Sequence, residues 1–427
     1  MRVILYLGYI AAISVIFAVN LVAKKYIKNS WLIWLGYGIP FLAIAILLAT
    51  LSSPYVLFSD FDKAYYPAGR LVIENPSLLY QPGGGIHKFV NIPIVAFLFT
   101  PFSYLSINQA HILLSVISIA AIIAIIYILI KFSHISGQRR LALLGLFVIN
   151  GPLYYCFREG NTSHFVLLFL LLGVLCIRYQ REFWLGCLLA IGTVIKPPIL
   201  LLAVYLALRK RWMACTGFAV SMLIIVGSSL LVFGLDLHIT WYQECIQTYA
   251  GKPLAAYNVQ SVDGFLSRFI ASNHLTNWSP LEVDWRYKLV RYALLALLLG
   301  TSIWVCWKSK VPKTLAQKNL EFSIVICLSL LISPISWTHY YVYLLLPFGL
   351  YIGKQLAIPQ GRLWSRSMLS SILLTSLPVN TIDSQNSMFD FWYYYFFVSH
   401  YFFGCLLLLG ILLAARWYGA KHPLTEA

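Results

Sequence analysis

The chain has 427 residues, 60% of them hydrophobic and only 11% charged, with a mean hydropathy of +0.79 and a formal net charge of +17. Soluble domains run at about 45–50% apolar and about 25% charged residues, so this chain could not cover itself with polar side chains in water. That excludes a soluble enzyme, a secreted disulfide scaffold and a disordered chain, and leaves a polytopic membrane protein. The eight cysteines are scattered, with no CxxC pair and no Cys/His cluster. All but Cys245 lie in apolar stretches, so neither disulfides nor thiolate metal sites are expected.

A hydrocarbon core of about 30 Å takes about 20 helical residues. Stretches that reach or approach this length run 3–23, 31–52, 108–130, 141–157, 162–177, 183–195, 197–208, 213–234, 289–307, 320–335, 339–353, 367–380 and 394–415. The expected fold is therefore an all-α polytopic bundle of about thirteen membrane helices with two long outer loops, 53–107 and 235–288. The first stretch is too long for a signal peptide, lacks a small-residue cleavage site and is followed by Lys24, Lys25 and Lys28, so it reads as a retained helix.

Charge sorts along this map. Segments 24–30, 131–140, 178–182, 209–212, 308–319, 354–366 and 416–427, with Glu321, hold twenty of the 31 Lys and Arg but only three of the 14 acids. One face carries the whole net charge and the other sums to zero. The positive-inside rule makes the basic face cytoplasmic, the N-terminus external and the C-terminus cytoplasmic. The excess charge is thus a topology signal and implies no nucleic-acid partner.

Three hairpins are too short to cross twice. Their tips carry Arg158-Glu159-Gly160-Asn161, Lys196-Pro197-Pro198 and Ser333-Pro334-Ile335-Ser336-Trp337-Thr338-His339. Thirteen residues at 1.5 Å rise span only about 20 Å, so each tip should sit below the outer surface, enclosed by protein or a wet cavity. Ionisable groups at such depth are by default functional candidates. Arg158, Lys196 and His339, with Arg268 from the second loop, are potential donors to a phosphate, best supplied by a lipid whose tail enters from the bilayer. Taken singly, each also fits snorkelling or pairing with a neighbour such as Glu159.

The first outer loop opens with Ser59-Asp60-Phe61-Asp62, then Lys63 to Val72, which reads as a short amphipathic helix. Asp60 or Asp62 could be a general base toward a hydroxyl; spacing alone favours an N-cap for a helix beginning near Lys63. Tyr65 and Tyr66 fit either interfacial aromatics or ligand contacts. The apolar piece 89–105, broken by Pro93 and Pro101, reads as an interfacial helix pair.

These residues resemble the polyprenyl-phosphate-mannose-dependent mannosyltransferases of glycosyltransferase family 87, in the integral-membrane GT-C class. The likeness runs from about Trp31 to about Tyr418. It is carried by Asp60-Phe61, Tyr65-Tyr66-Pro67-Ala68-Gly69 and Leu79-Tyr80; by Glu159-Gly160-Asn161, where family members often have Gly-Gln-x-Asn; and by Ile195-Lys196-Pro197-Pro198. Asn258-Val259-Gln260-Ser261 and Ser333 through Tyr340 complete it, in the family's order. The helix 3–23 and the inserted Val259 depart from the family pattern. The resemblance implies a GT-C membrane domain over 31–418, preceded by an additional helix within 1–30 and followed by a cytoplasmic tail, 419–427.

It also implies an inverting transferase that moves a sugar, mannose by preference, from a polyprenyl-phosphate donor to an envelope glycolipid or glycan at the outer face of the cell membrane. Asp60, or alternatively Asp62, would be the base. Arg158, Lys196, Arg268 and His339 would hold the phosphate, and Tyr65, Tyr66, Asn161, Asn258, Gln260 and Trp337 would contact substrate. No metal and no cofactor are expected. A lipid-linked glycan flippase or ligase, or a secondary transporter, are the alternatives; the transporter would place its charges at mid-bilayer between inverted repeats, and no repeat is present.

Overall fold

Prolines placed between apolar runs decide where this chain bends, and the bends place its charged residues. The structure, a computed structural model, describes residues 57–80, 88–271, 275–309, 311–379 and 387–421. Expected helices 3–23 and 31–52 lie outside the described residues. The described elements are helical; the single extended pairing among them is an isolated antiparallel bridge between Val259 and Trp337.

In chain order the helices are α1 (Tyr66–Glu74), α2 (Ile107–Phe132), α3 (Gly137–Ile149), α4 (Gly151–Glu159), α5 (Ser163–Arg178), α6 (Glu182–Ile195), α7 (Leu200–Leu208) and α8 (Trp212–Trp241). They continue with α9 (Val262–Ser267), α10 (Trp285–Lys308), α11 (Leu315–Ile332), α12 (Leu345–Ile352), α13 (Arg362–Ser376), α14 (Ser387–Tyr395) and α15 (His400–Lys421). Five of these helices, counting α8 with its continuation to Tyr249 and α14–α15 as one unit, are long and apolar enough to cross a membrane, or six if the bent pair α3–α4 is one span. Eleven of the thirteen expected stretches fall on described residues, and the hairpin arms among them are short. α5 has 16 residues and α6 has 14, or about 24 Å and 21 Å at 1.5 Å per residue.

Each short arm ends for a local reason. α3 and α4 meet at 48°, where Pro152 cannot continue the preceding turn and the Asn150 side chain caps α4 by accepting from the Leu153 amide at 2.9 Å. α6 ends at Lys196, whose backbone is extended (φ −139°, ψ 96°), as a residue preceding proline favours. α11 ends the same way at Ser333, before Pro334.

One expected boundary moves and one is kept. The helix of the first loop begins before the aspartates: Asp60 already has helical backbone angles and its side chain makes no cap bond. The span expected to end at 234 does break there: Gly234 (φ +73°, ψ 171°) is non-helical, a conformation open to glycine, and a second helical stretch runs from the kink to Trp241. His238 folds back, with Nδ1 2.7 Å from the Gly234 carbonyl and Nε2 2.9 Å from Ser229 Oγ.

The main apolar core is built by α2, α5, α11, α12 and α15 with segment 338–344, and a second cluster packs the first loop (Phe61, Tyr65, Val72, Phe99, Phe102) on the start of α2. α11 is buried along almost its whole length, whereas α8 and α10 expose most of theirs, as suits central and lipid-facing helices.

Candidate active site

The first loop and the three hairpin tips meet. The Phe58 amide donates to the Arg158 carbonyl at 2.6 Å, which ties the start of the loop to the end of α4. α4 stops at Gly160, in the left-handed region at φ +64°, where a Cβ would lie 2.7 Å from Cβ of Phe61. This close turn lets Glu159 and Asn161, on either side of Gly160, both reach the cluster. Asn161 Nδ2 donates to Asp60 Oδ2 at 2.6 Å, and its Oδ1 accepts from the amide and hydroxyl of Ser163 at 3.1 and 2.9 Å. The third tip joins through His339, whose Nδ1 lies 2.9 Å from Glu159 Oε2. Lys196 completes the set: it is buried, with its ammonium 4.9 Å from the centre of the Tyr340 ring.

The electrostatics follow from crowding. Removal from water raises the Asp60 carboxyl above the usual carboxylate range, and the Glu159 carboxyl adds to this. The Asn161 amide and the Lys196 ammonium pull it back. The result is a carboxylate more basic than an ordinary aspartate, held in one orientation by Asn161. His339 is 5% exposed and packed near-parallel to Trp337 and edge-on to Tyr340. Its Nε2 is buried without a hydrogen-bond partner among the described residues.

Asp60, Glu159 and His339 each bring one ligating atom within 4.8 Å of the others, a convergence invisible in a sequence that separates them by 99 and 180 positions. The spacing would admit a shared cation. Yet Asp60 Oδ2 already accepts from Asn161, Glu159 Oε2 is engaged with His339, and Lys196 lends a positive charge.

The other expected site residues divide. Arg158 is half-buried beside Glu159, with its guanidinium 6.0 Å from the centre of the Tyr155 ring. Asp62 points away from Asp60 and pairs with His111 Nε2 at 2.6 Å. Tyr65 is buried, stacked on Phe99 at 4.5 Å, and Tyr66 donates to the Leu105 carbonyl at 2.8 Å. Asn258 and Gln260 act as fasteners. The Asn258 carbonyl accepts from the Thr338 amide at 2.8 Å and its side chain from Trp278 Nε1 at 2.8 Å. The Gln260 amide donates to the Ser336 carbonyl, and its Nε2 to the carbonyls of Tyr257 and Val398, all at 2.7 Å. With the Val259–Trp337 bridge, these bonds zip the second loop onto the His339 tip.

Arg268 stands apart from the cluster. It is fully buried, and its guanidinium donates to Ser399 Oγ at 2.7 Å, to the Ala256 carbonyl at 3.0 Å and to the Val259 carbonyl at 2.5 Å. These bonds close the second loop around the arginine. Conversely, two participants carried no site role in the sequence reading. Glu159 is the partner of His339. Asn91 Nδ2 donates to the carbonyls of Val194 and Ile195 at 3.2 and 2.8 Å, and so steadies the turn that presents Lys196. An acidic residue at a recessed tip was the available signal for Glu159; nothing in the sequence marks Asn91.

An all-helical membrane protein whose hairpin tips gather a basic carboxylate beside buried cations has the equipment of a membrane-embedded group-transfer enzyme. The chain belongs to glycosyltransferase family 87: the family's sequence profile matches residues 89–334, more than half of its length. It is 26% identical to the polyprenol-phosphate-mannose-dependent alpha-(1-2)-phosphatidylinositol pentamannoside mannosyltransferase of Mycolicibacterium smegmatis, over 72% of this chain and 73% of that one. It is also 26% identical to the Mycobacterium tuberculosis protein of the same description, over 85% and 83% of the two chains. A Mycobacterium tuberculosis phosphatidylinositol mannoside mannosyltransferase is 24% identical over 67% of this chain and 66% of its own length. The matched stretch contains Glu159, Asn161 and Lys196; Asp60 lies before it and His339 just after it.

Proposed function

We propose that this protein transfers mannose from a polyprenyl-phosphate donor to a hydroxyl of a glycolipid at the outer face of the cell membrane, with inversion at the anomeric carbon. The N-terminus is then external, the C-terminus cytoplasmic, and loops 53–107 and 235–288 external. The observation that carries the reading is the placement of Asp60 against Asn161, Glu159, His339 and Lys196, where a desolvated carboxylate meets cations. The descriptions of the relatives support the donor and suggest a mannose-bearing phosphatidylinositol as acceptor.

In the proposed reaction the acceptor oxygen attacks the anomeric carbon as the bond from that carbon to the phosphate oxygen breaks. Asp60 takes the hydroxyl proton, and the polyprenyl phosphate leaves with the bonding electron pair. Lys196 and Arg158 sit where charge grows on the departing phosphate. A raised carboxyl is a better proton acceptor provided it is ionised, so turnover should fall as pH drops, with a midpoint above the usual aspartate range.

The test is transfer from radiolabelled polyprenyl-phosphate mannose to glycolipid by protein in vesicles. Asp60→Asn keeps the shape of the side chain but loses its basicity, and turnover should fall by about 100-fold or more with donor binding retained. Near-normal transfer by this variant would reject Asp60 as the base and favour a flippase or polymer ligase.

A further inference from the structure

We infer that Glu159 is a positioning residue that holds His339 as the tautomer with its proton on Nδ1, leaving Nε2 as a bare acceptor for a substrate hydroxyl. The inference rests on the transferase reading above and assigns work to two groups which that reading leaves idle. Three observations carry it.

First, the Glu159–His339 contact is a short, oriented one: Nδ1 is 2.9 Å from Oε2, and both side chains are largely enclosed. With Arg158 and Lys196 beside it, Glu159 is assigned as the ionised acceptor of this contact and Nδ1 as the donor. A neutral imidazole with its proton on Nδ1 has a lone pair on Nε2.

Second, that Nε2 is buried and has no partner among the described residues. An unfilled acceptor in a protein interior is costly, and one kept at a functional site is ready for a ligand donor. Sugar and acceptor hydroxyls are such donors; a phosphate oxygen is not. The tautomer therefore reassigns His339 from phosphate cation to hydroxyl acceptor, and leaves the phosphate to Lys196 and Arg158.

Third, the ring cannot turn freely to another partner. It is packed against Trp337 and Tyr340, its own carbonyl accepts from Cys156 Sγ at 3.5 Å, and the segment bearing it is pinned by the Thr338–Asn258 and Gln260–Ser336 backbone bonds. The remaining choice is which nitrogen carries the proton, and Glu159 makes it. Fixing one imidazole tautomer through a carboxylate on the other nitrogen is a general device in catalytic sites.

Two measurements test the inference. In the transfer assay, Glu159→Ala should lower kcat about tenfold or more while donor KM stays within about twofold. Glu159→Gln, which keeps an oxygen for the Nδ1 proton, should recover most of the loss. The decisive comparison is the double variant: if Glu159 acts through His339, Glu159→Ala should cost nothing further in a His339→Ala background. Additive losses would overturn the inference. So would loss of wild-type transfer on chelation together with rescue of Glu159→Ala by excess Mn²⁺, which would make Glu159 a metal ligand. The second measurement needs no activity. In 15N-histidine-labelled protein in vesicles, the signal lost in His339→Ala should report a neutral ring protonated on Nδ1, and Glu159→Ala should disturb it. A ring protonated on Nε2 or on both nitrogens would sink the inference even if transfer proceeds as proposed. Conversely, a wild type that transfers nothing but shows the expected tautomer would reject the transferase reading alone.

Discussion

Two charged clusters lie toward opposite ends of α11, and they are built on opposite plans. Near its start, Glu321 is fully buried and every acceptor position is used. Oε1 takes Arg416 Nε at 2.8 Å and Arg209 Nη2, and Oε2 takes Arg209 Nε at 2.8 Å and the Tyr205 hydroxyl at 3.0 Å. The arginines spend their other donors on the carbonyls of Cys306 at 2.9 Å and Ser309 at 2.8 Å. About 18 Å along, at 1.5 Å per residue, the tip after α11 joins a cluster that is left incomplete. Asp60 has a single side-chain donor in Asn161, Lys196 has an aromatic face but no hydrogen-bond acceptor among the described residues, and His339 Nε2 has nothing. A complete network ties helices together; an incomplete one holds its groups ready for a ligand. The difference in saturation separates structural charge from chemical charge in a chain where only 11% of residues are charged.

The sharpest way to break this contrast is to open the saturated cluster. Glu321→Ala leaves two buried guanidiniums without their counter-ion, and removing one partner of such a network costs about 3–5 kcal/mol of stability. Thermal unfolding of the protein in vesicles should show a large drop, while transfer per folded molecule at low temperature stays within about twofold. If stability held and transfer collapsed, the Glu321 cluster would belong to the reaction and the contrast would fail.

Lys196→Ala probes the incomplete cluster. A cation on the departing phosphate acts in both the bound state and the transition state, so kcat should fall and donor KM should rise together. The loss in kcat/KM should amount to about 2–4 kcal/mol, with stability unchanged or improved, since a buried cation without a hydrogen-bonded partner is itself destabilising. An unchanged KM, measured by steady-state titration of donor, would remove Lys196 from the phosphate.

Much of this architecture was legible in the sequence, and what was not has identifiable physical causes. Apolar length and proline placement disclosed the short arms and their charged tips, because a proline acts on its own neighbours: Lys196 before Pro197 and Ser333 before Pro334 are extended, as local sterics require. Partnership is not local. Arg158, Lys196 and Arg268 read alike as cations at outer tips, yet only tertiary contacts distinguish Arg268, bonded to loop carbonyls and Ser399, from Lys196 beside a carboxylate. Glu159 read as a neighbour for Arg158, whereas its partner lies 180 positions away. The aspartates failed differently. An Asp before an amphipathic stretch resembles a cap, but here the helix starts earlier and frees Asp60 to face inward.

That freedom makes Asp62 the finest test of the contrast, and the one with the smallest expected effect. It lies half a turn from Asp60 on the same helix, with the same chemistry and much of the same approach to the outer surface. Its environment differs in each respect that matters. Its side chain is 37% exposed, and its partner is His111, stacked on Phe58 at 4.1 Å. Asp62→Asn keeps an oxygen for the His111 ring and gives up a charge that solvent already screens, so the cost in stability should be below about 1 kcal/mol. Transfer should stay within about twofold of the parent, with the acid limb of its pH profile unmoved, because burial, Glu159 and Lys196 set the basicity of Asp60 and Asp62 does not. Measured beside Asp60→Asn, the pair shares sequence position and residue type and differs in burial and partners. A dead Asp62→Asn with a mild Asp60→Asn would move the base to the loop surface. The enclosed cluster of Asp60, Glu159 and His339 would then be scaffold, despite its unfilled acceptor.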